Sequence, residues 1–267
     1  MSGETTDWLD SYYEALEFFY WEPQHFRAKT NAAAEVKKLD EIAKKSTRFG
    51  QVTSHLRQME VTLNHNINQF FLLAPDAFRN SLFEKLFVSS QFKKAFEMQG
   101  REIDEKFALG SCMQPDLLFI SEGEVVSIEM KIKSQCSIDQ VLKYVLLGRG
   151  IEITQKVQKE HYLVLLGPGA IENQFTQRFK SSDEITDALK KEDLTKFLSK
   201  KPPIFRQDQE HLQRIVKNMK VRFLNYEELT NILTDAVPQQ SDQSAGAEVY
   251  RNLINGLCHE ISRRRLS

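Results

Sequence analysis

Gln114-Pro115-Asp116-Leu117-Leu118-Phe119-Ile120-Ser121 is followed by Glu122-Gly123 and then by Val125 to Ile132, and these two runs around a tight turn constrain the fold most. The first run opens at a proline, whose missing N–H costs least at the start of a strand. Glu-Gly supplies the short connection, so the pair reads as a β-hairpin. The second run alternates. Val126, Ile128, Met130 and Ile132 point one way, while Val125, Ser127, Glu129 and Lys131 point the other. A fully apolar strand face has to be packed under helices, which makes the hairpin part of an α/β architecture. Glu129 and Lys131 share the polar face, and hairpin pairing brings Asp116 towards Glu129, with the register left open.

Two carboxylates and an amine on one sheet face make chemical sense as a magnesium site. Mg²⁺ is a hard cation that takes carboxylate oxygens and keeps several waters. Beside a phosphodiester it lowers the pKa of an attacking water and neutralises developing charge. A lysine on the same face orients that water or stabilises the charge electrostatically. The bland alternative is a solvated Glu129–Lys131 ion pair, since antiparallel sheets often keep one wet face.

The flanks bear on that choice. After Cys136 a helix is expected from Ser137, with Gln140 and Tyr144 spaced i, i+4 on one face. The alternative here is a core tyrosine and a merely exposed glutamine, because Leu142, Val145 and Leu146 offer the helix another apolar face. Upstream, the segment from Pro75 to Met98 has helical periodicity through Phe78, Leu82, Leu86 and Phe87, and contains Glu84. Taken in order, these residues resemble the PD-(D/E)xK phosphodiesterase superfamily, in its RecB-like branch with a Q-x-x-x-Y motif. The resemblance covers roughly residues 76 to 170. It implies a restriction-endonuclease-like core, a central mixed β-sheet flanked by helices. It also implies that Asp116 and Glu129 bind Mg²⁺ (Mn²⁺ substituting), with Glu84 as an added ligand. Lys131 would serve catalysis, with Gln140 and Tyr144 beside the substrate phosphates. The function implied is a Mg²⁺-dependent nuclease acting on DNA, alone or as the effector of a defence or repair system. The alternatives are a catalytically idle nuclease-fold protein that binds or scaffolds, and an unrelated α/β protein with a coincidental motif.

Composition fits without demanding this. A chain of 267 residues buries a substantial core. Its formal net charge of −1 provides no global field for nucleic acid, so a DNA enzyme of this kind needs a local basic groove or a partner. No apolar stretch reaches membrane-spanning length, and the acidic, aromatic N-terminus is unlike a secretion signal. Three cysteines, Cys112, Cys136 and Cys258, cannot all pair and point to a reducing, cytoplasmic interior. Nor do three thiolates suffice for the four-cysteine iron–sulfur cluster of some RecB-like nucleases. Cys112 and Cys136 read better as buried small residues than as oxidation-sensitive thiols.

Three regions are expected: helices over 1–75, the nuclease-like core over 76–236 with a helical insertion near 171–218, and a linker with a terminal helix over 237–267. Trp8, Tyr12, Tyr13, Phe18, Phe19, Tyr20 and Trp21 give the first helix an aromatic side, a candidate surface for a protein partner. Val36, Leu39 and Ile42 line a second helix, and a third is expected from about Val52 to Leu73. His161 to Leu166 reads as a buried strand closed by Gly167-Pro168-Gly169, and Val221 to Leu224 as a late strand followed by a helix. Lys217, Lys220 and Arg222 belong to a basic rim or to a solvated face. Pro238 to Gly246 is expected to be a flexible linker. Arg263-Arg264-Arg265 either complements a helix dipole or touches phosphates.

Overall fold

The computed structural model describes residues 60–87, 90–92, 94–99, 103–107, 109, 113–132, 134–237 and 244–266. The aromatic N-terminal helix, its neighbour through Val36 to Ile42, and Cys112 lie outside the described residues. The chain divides into two compact units.

The described parts of one unit are helix α1 (Glu60–Leu73) as far as Phe70 and the stretches 233–237 and 244–265, the second of which contains helix α10 (Ala245–Arg263). Arg264 ties this unit together. Its Nε lies 2.7 Å from Glu260 Oε1 and its Nη2 donates to Thr62 Oγ1 at 3.0 Å. Phe70 stacks on Tyr250 with centroids 6.3 Å apart. The terminal helix therefore joins the α1 region. Its Ser244 cap accepts the Ala247 N–H at 3.2 Å, so Ser244 to Gly246 begin a helix where a linker was expected. Arg264, with its side chain only 2% exposed, is an internal partner of Glu260.

The second unit, Phe71–Ile232 with the last two residues, is an α/β layer structure around a five-stranded mixed sheet. Helix α2 (Asp76–Leu86) precedes strand β1 (Glu97–Met98) and a short helix α3 (Ile103–Lys106). The expected hairpin follows as β2 (Leu117–Ile120) and β3 (Glu124–Met130), with Ser121 N–H donating to Glu124 O at 2.9 Å. Helix α4 (Ile138–Gln155) leads to β4 (Glu160–Gly167). Four helices, α5 (Ser182–Lys191), α6 (Leu194–Leu198), α7 (Pro203–Arg206) and α8 (Gln209–Asn218), form the expected insertion. They precede β5 (Lys220–Asn225) and α9 (Tyr226–Asp235). The strands lie in chain order, β1 to β3 antiparallel and β3 to β5 parallel. The helical segment starting at Pro75 is shorter than its periodicity suggests. It ends at Leu86, and the chain then turns into β1.

The registers separate the two faces. Leu118, Ser127, Leu163 and Val221 align on one, and Phe119, Val126, Tyr162 and Lys220 on the other. Aromatic residues of α2 and the segment after it cover the second face: Phe83 lies edge-on to Phe119 at 5.3 Å, and Phe87 and Phe92 meet Tyr162 at 4.8 and 5.0 Å. Helix α4 covers the first, its Val141, Leu142, Tyr144 and Val145 joining Leu118, Leu163, Leu165 and Val221 in one core. Parallel strands are buried on both sides because crossover helices lie against them. The face of β3 that carries Glu129 is thus buried, and the wet sheet face of the bland alternative does not exist. Gly148 permits the close approach of α4, since a Cβ there would sit 2.7 Å from His161 Nδ1 on β4.

Candidate active site

The hairpin register sets Asp116 against Glu129. The last ladder pair is Leu117 with Ile128, so the next step outward faces one carboxylate with the other. Asp116 Oδ2 accepts the Met130 N–H at 2.7 Å, which fixes the carboxylate at the strand end. The backbone of Lys131 is held on both sides, its N–H donating to Leu166 O at 2.8 Å and its carbonyl accepting from Tyr226 OH at 3.2 Å. Two residues of strand alternation then return the lysine side chain to Glu129, with Nζ 2.6 Å from Oε1. Neither side chain is solvated: Glu129 is 7% exposed and Lys131 16%.

Helix α4 completes the arrangement because its start is fixed. Ser137 caps it, the hydroxyl accepting the Gln140 N–H at 3.3 Å. Gln140 and Tyr144 then stack one turn apart and both donate to Glu129, Gln140 Nε2 to Oε1 and Tyr144 OH to Oε2. Burial above all, with the nearby charges of Glu129 and Asp116, pushes the Tyr144 phenol well above its ordinary range. The tyrosine therefore stays a proton donor. In this arrangement Gln140 and Tyr144 hold the glutamate itself. Burial and the Glu129 charge also push the Cys136 thiol up to about 12, so it is an inert thiol next to the site.

Asp116, Glu129, Lys131, Gln140 and Tyr144 are thus brought together, and Glu84 is not. It sits on α2, whose Phe83 packs on the sheet face opposite Glu129, and its carboxylate accepts the Phe92 N–H at 3.1 Å. Among the described residues no group of three acidic, histidine or cysteine side chains converges as a metal cage. What remains is a two-carboxylate donor set. It suits Mg²⁺, which binds through one or two carboxylates and retains waters, and does not suit zinc, which favours nitrogen and sulfur. The carboxylate of Glu129 has spare lone pairs after its three protein partners. A recess of about 10 Å³ beside Glu129 and Lys131, walled by Cys136, Gly167, Gln174 and Phe223, has room for about one water-sized body.

Of the expected basic rim, Lys220 Nζ donates to Ser90 Oγ at 2.9 Å and Arg222 pairs with Glu228 at 2.8 Å, so both are engaged within the fold. Comparison with protein-family models, with curated proteins and with solved structures gave no match for this chain. Among the described residues no helix is long and apolar enough to cross a membrane.

Proposed function

We propose that this chain is a Mg²⁺-dependent phosphodiesterase acting on DNA, with a restriction-endonuclease-like core of the RecB-like kind. The observation that carries the reading is the convergence, from separate elements, of Asp116, Glu129 and Lys131 at the ends of β2 and β3, with Lys131 Nζ 2.6 Å from Glu129 Oε1. Opposed carboxylates repel each other, and burial makes that repulsion costly unless a cation is shared. Asp116 and Glu129 would hold Mg²⁺, which would supply an activated water and neutralise charge on the phosphate. Lys131 presents an ammonium where negative charge develops. Tyr144 and Gln140 act by orienting Glu129, fixing which lone pairs remain open.

One observation favours a second reading, an idle nuclease-like fold that binds or scaffolds. Glu129 already has an ammonium on one oxygen and neutral donors on both, which is how a purely structural carboxylate is satisfied. Incubation of purified protein with linear and circular DNA, in Mg²⁺ and in EDTA, separates the two. Hydrolysis should require the metal and vanish in Asp116→Ala and Glu129→Ala. Lys131→Ala should lose about 10²–10³ in turnover, the scale of losing one charge-stabilising donor. Normal cleavage by either carboxylate variant would remove the assignment, and no cleavage by the wild type would favour the binding module.

A further inference from the structure

A polar cleft of about 520 Å³ lies between the first turns of α4 and the insertion around α6, and meets the Glu129 site at Gln140. Gln140 belongs to both places: it lines the cleft, and its amide donates to Glu129. Lys143, one turn on, lines the same wall, while Lys196, Lys200 and Lys201 come from the opposite side with Phe197 between them. Among the described residues none of these four ammonium groups forms a salt bridge. Lys201 lies over the Phe197 ring at 4.8 Å. Asp139, Glu192 and Asp193 also line the cleft, and Asp193 is occupied in capping α6 through the Thr195 and Lys196 N–H groups.

We infer that this cleft is the track for a single-stranded polynucleotide, and that it feeds the strand to Glu129; the inference rests on the hydrolytic reading of that residue. Ammonium groups without salt bridges around an aromatic ring are the chemistry by which a single strand is held, with phosphates on the cations and a base taking the place of Lys201 on the Phe197 ring. The acidic residues dilute the field, so the strand is held loosely enough to move. The cleft carries four lysines against three carboxylates, so it is weakly basic in a chain of near-neutral charge.

The test is binding of a fluorescent oligo-dT in EDTA, where no cleavage occurs, across a salt series. Four phosphate contacts predict a log–log slope of about −2.8, at about −0.7 per contact for a single strand. Combining Lys196→Ala, Lys200→Ala and Lys201→Ala should flatten it by about 2. Phe197→Ala should weaken binding roughly tenfold. Circular dichroism checks folding, and Lys143→Glu with Lys200→Glu tests the same cleft from both walls. No oligonucleotide binding by the wild type, a preference for duplex or for free phosphate, or lysine variants that bind like the wild type would overturn the inference. Wild-type cleavage unaffected by the lysine substitutions would remove the cleft and leave the carboxylate site standing. Cleft-dependent binding without any metal-dependent cleavage would do the reverse.

Discussion

Helix α4 serves a buried glutamate at each of its ends, and the two are satisfied in opposite ways. At its start Gln140 and Tyr144 reach across to Glu129. Twelve residues on, roughly 18 Å along the axis, the helix's own Glu152 is only 1% exposed. Glu152 takes Arg214 Nη2 at 2.6 Å, the Lys159 N–H at 3.0 Å, His161 Nε2 at 3.1 Å and Arg149 Nη1 at 3.3 Å. Arg149 and His211 both also engage Asp208, on the α8 side. That end is a closed network that clasps α4, β4 and α8 and leaves its carboxylate no room for a ligand. At the Glu129 end there is one ammonium, a second carboxylate, a small recess and a lysine-lined cleft. Two buried glutamates on one layer teach that burial alone does not mark a site. The two differ in their partners: Glu129 is met by one cation and two neutral donors beside a small recess, and Glu152 by two guanidiniums, a histidine and a backbone N–H.

The comparison breaks most visibly at Glu152. Glu152→Ala strands the Arg214 guanidinium and His161 while Arg149 keeps Asp208, and should cost about 3–5 kcal/mol in chemical denaturation, the scale for removing one partner of a buried ion pair. A loss below about 1 kcal/mol would mean that this end is not a clasp.

Acid titration probes the same network. Burial works to raise the Glu152 pKa, and the hydrogen bonds from His161, the Lys159 N–H and Arg214 outweigh it, bringing it from 4.5 to about 2. A carboxyl whose folded pKa is depressed stabilises fully above its unfolded value and loses that contribution as pH falls through the folded one. Between about pH 4.5 and 2 the protein should therefore lose about 3 kcal/mol that Glu152→Gln lacks. Parallel stability profiles for the two proteins would contradict this.

The smallest effect belongs to the other end. Asp116→Asn keeps an acceptor for the Met130 N–H and removes a like charge, so stability should change by less than about 1 kcal/mol. A large loss, measured by thermal or urea denaturation, would make Asp116 a structural group like Glu152.

The hairpin was legible because local chemistry sets it: Pro115 at the entry, Glu122-Gly123 at the turn, and alternation through β3. Ser137 likewise announced α4, and the i, i+4 spacing aimed Gln140 and Tyr144 at one neighbour. Alternation misled about exposure. Ser127 and Glu129 look solvent-facing in sequence, yet the parallel pairing with β4 brings α4 over them. The apolar residues around α4, among them Val141, Leu142, Val145, Leu146 and Ile151, were the signal for that burial. Glu84 came from the family resemblance, and a helical pattern does not say which sheet face its helix covers. Glu152 was missed because its partners come from distant segments, although a lone acid on an otherwise apolar stretch of helix was visible. The lysine cleft was equally hidden, since Lys143 and Lys196 to Lys201 meet only through the insertion.

Mn²⁺ binding followed by calorimetry tests the central claim, that the Glu129 end is held open for a cation and the Glu152 end is not. Wild-type protein should bind Mn²⁺ at a site that disappears in Asp116→Ala and Glu129→Ala and persists in Lys131→Ala and Glu152→Gln. Absence of binding to the wild type, or binding unchanged by both carboxylate substitutions, would contradict it.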